Sequence, residues 1–117
     1  MTTPMRLEID EGTMDLLVWN VANEVLNGFE VIDFESTIGI SKDDFKSIVV
    51  SLRGLSKEAR IMLDLKEVRL FRNALAVVLE ELGIEEFDTR TGHSFEEGNA
   101  ILGQLNLFID TQVEGRA

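Results

Sequence analysis

The sequence predicts a mainly helical domain in which one strand-helix-loop-helix unit is used twice about an approximate two-fold axis. That gives four helices and, if two short segments pair, a small two-stranded sheet that makes the fold α+β. Three observations predict it. Met14, Leu17, Val18, Val21, Ala22, Val25, Leu26 and Phe29 step by three and one, the spacing that lines one face of a helix. Adding 53 to the last seven gives Leu70, Phe71, Ala74, Leu75, Val78, Leu79 and Leu82, all apolar. The match then runs ungapped through Phe34 and Phe87, Gly39 and Gly92, Ser41 and Ser94, Asp43-Asp44 and Glu96-Glu97, Ile48 and Ile101, Leu52 and Leu105.

In chain order, residues 6–10 alternate as a strand would, with Leu7 and Ile9 on the apolar side, and residues 61–65 repeat the pattern. Long amphipathic helices follow over about residues 13–28 and 65–82, the first capped by Thr13 and the second by Asp64, which stands at capping-box spacing from Glu67. Each helix leads into a loop of about ten residues with a buried phenylalanine, Phe34 or Phe87, and a glycine suited to a tight turn, Gly39 or Gly92. The closing helix of each unit opens at Ser41 or Ser94. In the second, the serine hydroxyl accepts an amide and Glu97 reaches back to the serine N–H. Phe45, Ile48, Val49 and Leu52 form one inner face, and Ile101, Leu102, Leu105 and Phe108 the other, with Gly98 leaving room where the first unit has Phe45. The whole chain, residues 1–117, reads as a single domain. The units run over about residues 6–53 and 61–108, with a linker over about 54–60 and a loose tail over 111–117.

Composition narrows the function. The 117 residues include no cysteine, which removes disulfides, thiolate catalysis and the common structural zinc sites. No apolar run reaches the length of a signal peptide or a membrane span, so the expectation is a soluble, cytoplasmic protein with no membrane contact. The formal net charge is −11, which repels nucleic acid and attracts basic partners. The charge is uneven: residues 53–72 are locally basic, whereas residues 80–97 carry Glu80, Glu81, Glu85, Glu86, Asp88, Glu96 and Glu97 against Arg90 alone.

Candidate chemistry is sparse. His93 is the sole histidine, and Arg90 and His93 stand where the first unit has Thr37 and Ile40. With no second histidine and no nucleophile beside it, His93 reads as a loop-packing residue, and the pair's functional reading is an anion grip. A twice-repeated helix, acidic loop and helix also invites comparison with calcium-binding loops. The turn glycine falls one position late, however, and Arg90 would stand among the ligands. The neighbouring carboxylates cannot face one another across a substrate, and no phosphate-binding, metalloprotease or nucleophile motif occurs, so no enzyme, metal or cofactor is expected. Trp19 lies off the apolar stripe on a polar face with Asn20, Asn23 and Asn27, as a partner's anchor would.

The expected function is a non-catalytic acidic interaction protein, an inhibitor or immunity-type protein. It would bind a basic partner through Glu80, Glu81, Glu85, Glu86, Asp88 and Trp19. The alternative is a small-molecule-binding or regulatory domain with an anion site at Arg90 and His93. A homodimer joining the basic 53–72 segment to the acidic loops of a second copy is the structural reading.

Overall fold

The structure, a computed structural model, describes residues 5–55 and 61–114. Most of the expected linker, residues 56–60, and the tail end, residues 115–117, lie outside the described residues. Two strands, β1 (Leu7–Ile9) and β2 (Ile61–Leu63), pair antiparallel with Leu7 opposite Leu63 and Ile9 opposite Ile61. Alternation puts Ile9, Ile61 and Leu63 inside and leaves Glu8 and Met62 outside. The expected sheet therefore forms, although each strand is shorter than the five-residue segments that suggested it.

Five helices follow instead of four: α1 (residues 11–28), α2 (Phe34–Ile38), α3 (Lys42–Gly54), α4 (Leu65–Thr91) and α5 (Phe95–Glu114). Helix α1 starts earlier than expected. Asp10, not Thr13, is its cap, and the Thr13 N–H donates to Asp10 Oδ1 at 2.8 Å. After one α-helical turn, α1 widens into π-helical stretches over Asp15–Val21 and Glu24–Gly28. The wide turn brings Leu16, Leu17 and Val18 all fully inside.

Helix α4 is the central element, packing against α5, α1 and α2. Asp64 and Glu67 form the expected capping box, each side chain bonding the other's backbone N–H at 2.8–2.9 Å. The helix does not end near Leu82. Gly83 (φ 68°, ψ −174°) bends the chain in a conformation reserved for glycine, and helix resumes to Thr91, ending on Gly92 (φ 76°). Most of the expected second loop is thus helical, and residues 86–91 do not form an ion-binding loop.

The core also answers the Phe45 and Gly98 comparison. Phe45, Phe71 and Phe87 are fully buried. Phe45 meets Phe71 at 5.7 Å and the half-buried Phe34 edge-on at 5.8 Å. The room at Gly98 is filled from the preceding segment: a methyl group there would lie 2.7 Å from Phe87 Cζ and 3.0 Å from Leu79. A small residue on α5 is the complement of a large one at the end of α4.

Candidate functional site

Three polar assemblies lie along α1, where it meets α3, α4 and α5. The first joins the ends of α1 and α4. Glu24 is 5% exposed, a burial that a carboxylate tolerates only beside a cation, and Arg90 supplies one. Arg90 Nε lies 2.6 Å from Glu24 Oε1, and Nη2 donates to Glu24 Oε2 at 3.3 Å and to the Gly28 carbonyl at 3.1 Å. The close approach requires Gly28, because a Cβ there would lie 2.8 Å from Glu24 Cδ and 2.9 Å from Arg90 Nη2.

The second assembly holds His93, just past the turn at Gly92. Its Nε2 meets Asp15 Oδ2 of α1 at 2.8 Å, and its Nδ1 meets Glu97 Oε2 of α5. Burial, the largest single influence, pulls the His93 pKa down; hydrogen bonds and attraction from Asp15 and Glu97 outweigh it and leave the pKa raised. Ser94 caps α5 as expected, its Oγ accepting the Glu97 N–H at 3.0 Å. The Glu97 carboxylate, however, turns to the His93 ring and not to the serine N–H. His93, Asp15 and Glu11 line an open cleft of about 460 Å³ with Met14 and Trp19.

The third assembly is Trp19 itself, 42% exposed. The Arg53 guanidinium lies 4.7 Å from its ring centroid, while Arg53 Nε and Nη2 donate to the Val18 and Trp19 carbonyls at 3.1 and 3.2 Å. Arg53 thereby serves backbone oxygens of the π-helical stretch as well as the indole.

The acidic residues occupy a different surface. Glu80, Glu81, Glu85, Glu86 and Asp88 are all exposed on α4 around the Gly83 bend, with Ile84 between them 71% exposed. Among the described residues, no ion pair engages any of the five, and none of them lines the cleft that holds Trp19 and His93. Arg90, the single base in this stretch, is turned onto Glu24. The structure thus brings Arg90 and His93 each against carboxylates and leaves the five acids exposed along α4 on either side of Gly83, outside the cleft that holds Trp19. Sequence reasoning missed Glu24, Asp15 and Ile84, and gave Glu97 a capping role in place of its contact with His93. An acid at the inner edge of the first apolar stripe was the one available sign of Glu24.

Among the described residues, no group of three or more histidine, aspartate or glutamate side chains is arranged to hold a metal ion, and no helix is long and apolar enough to cross a membrane. Comparison of the chain with protein-family models, curated proteins and solved structures finds no match.

Proposed function

We propose that the protein is an acidic interaction protein, of the inhibitor or immunity type, that binds a basic partner through Glu80, Glu81, Glu85, Glu86 and Asp88. The observation that carries this reading is that these five exposed acids have no ion pair among the described residues, while Arg90, the one base within the run, is held by Glu24. A surface of one sign steers an oppositely charged partner and raises the rate of encounter at low salt. Ile84, at the centre of the segment, takes the role of apolar contact that Trp19 held in the sequence reading, and Trp19 serves the fold beneath Arg53. The alternative anion site at Arg90 and His93 has less support, since both cations are already opposed by carboxylates.

The same reading treats the chain as two copies of one unit. Support comes from contacts at positions 53 apart: Arg53 bonds the turn carrying Trp19, and Asn106 accepts from Arg72 Nη1 at 3.0 Å. Asp10 and Asp64 cap the two long helices in the same manner but stand 54 apart. The first copy therefore has one extra residue in its long helix, and a π-helical stretch is how a helix absorbs one without losing its apolar face.

Affinity capture from lysate of the source cell, at low and high salt, tests the interaction. The expected result is a basic protein retained at low salt, released by salt, and absent when Glu85→Lys and Glu86→Lys are combined. Salt-insensitive capture, or the same capture by the double variant, would sink the reading.

A further inference from the structure

We infer that the cleft between the 38–40 turn and the first turns of α4 is a binding site for a small amphipathic carboxylate. Its volume, about 420 Å³, falls in the range of small-molecule sites. Ile38 and Leu70, both buried, lie at its floor, Ile40 and Leu65 are half-buried beside them, and Lys66 and Arg69 line it as cations one helical turn apart. The turn is held in place: Asn73 Nδ2 donates to the Ile38 carbonyl at 2.8 Å, and its Oδ1 accepts from Arg72 Nε at 2.7 Å. Gly39 keeps the wall thin, since a Cβ on it would approach Leu70 Cδ2 to 3.1 Å.

The two cations differ from those elsewhere in the chain in what answers them. In the cleft beside α1, the corresponding turn offers His93, and the chain supplies Asp15 and Glu97 as its counter-ions. In the cleft beside α4, the turn offers Ile40, Arg69 stands 54 residues on from Asp15, and Lys66 lines the cleft beside it. The nearest acids in sequence, Asp64 and Glu67, are committed to their capping box. Among the described residues neither Lys66 nor Arg69 is in an ion pair. On a chain of net charge −11, two cations above an apolar floor with no acid of their own call for an external anion. Arg69 can hold a carboxylate through two parallel N–H donors, with Lys66 adding a point charge, while an alkyl or aryl chain fills the space over Ile38 and Leu70. This site is independent of the acidic surface and stands or falls without it.

The test is an amide chemical-shift titration of the full chain with octanoate, alongside hexanol, octylamine and inorganic phosphate. Octanoate is expected to give saturable shifts confined to residues 38–40 and 65–73. Lys66→Ala with Arg69→Ala should weaken that binding by about tenfold or more. Both side chains are exposed, so an unchanged melting temperature should confirm the fold, and Lys42→Ala, outside the cleft, should bind as the parent does. No saturable shift with octanoate, an equal response to hexanol or phosphate, or undiminished binding by the double variant would each overturn the assignment.

Discussion

Two glycines in helices, Gly28 and Gly103, separate a residue kept for space from one kept for nothing visible. Gly28→Ala forces a methyl group into the Glu24–Arg90 pair and is expected to cost about 1–3 kcal/mol, because the buried carboxylate loses its alignment with the guanidinium. Gly103→Ala meets nothing within 4 Å and should stabilise the protein by about 0.5–1 kcal/mol through helix propensity. Urea denaturation of both variants checks the contrast. His93 gives a pH signature. Its folded-state pKa is raised above the ordinary value of about 6.5, so the stabilisation it provides is complete below that pH and is lost as pH climbs through the raised value. The stability difference between the parent and His93→Gln should therefore be largest under mildly acidic conditions and shrink above neutrality. A difference that grows with pH would contradict the clamp. None of these partnerships was legible beforehand. Arg90 and Glu24 are 66 residues apart and His93 and Asp15 are 78 apart, and a local pattern carries no information about which distant carboxylate a cation will meet.

Helices and strands were far more legible than their contacts, because apolar spacing and caps are local. The two stripes, the Asp64–Glu67 box and the Ser41 and Ser94 caps stand where the sequence put them. The misses have local physical causes. An apolar stripe reads the same through an α-helix or a π-helical stretch, so the widening of α1 left no mark in its apolar pattern. The expected helix over about residues 65–82 stops where Gly83 does break it; that a second helical segment begins at once goes with Phe87 filling the space over Gly98. The π-helical stretch supplies a prediction at this scale. Arg53→Ala removes two charge-assisted hydrogen bonds to its carbonyls and the cover over Trp19. The expected effect is a destabilisation of about 1–2 kcal/mol with a red shift of Trp19 emission as the indole becomes more hydrated. Unchanged emission would show that Arg53 does not hold the indole.

Across the whole molecule, charge is sorted by surface. The acids around Gly83 have no internal counter-ion among the described residues, and the two cations beside the 38–40 turn have none either, whereas Arg90 and His93 are answered from within the chain. The segregation was legible in the sequence as a charge run. That Arg90 leaves the run, and so does not dilute it, was not. The central claim is that residues 80–88 form the cation-binding surface, and the most direct measurement is a chemical-shift titration of the labelled chain with oligolysine at low and moderate salt. The account predicts saturable shifts centred on Glu80–Asp88, weakened by salt and lost with Glu85→Lys and Glu86→Lys. Shifts centred on the Glu11–Asp15 cleft, or spread evenly over the acidic residues of the chain, would contradict it.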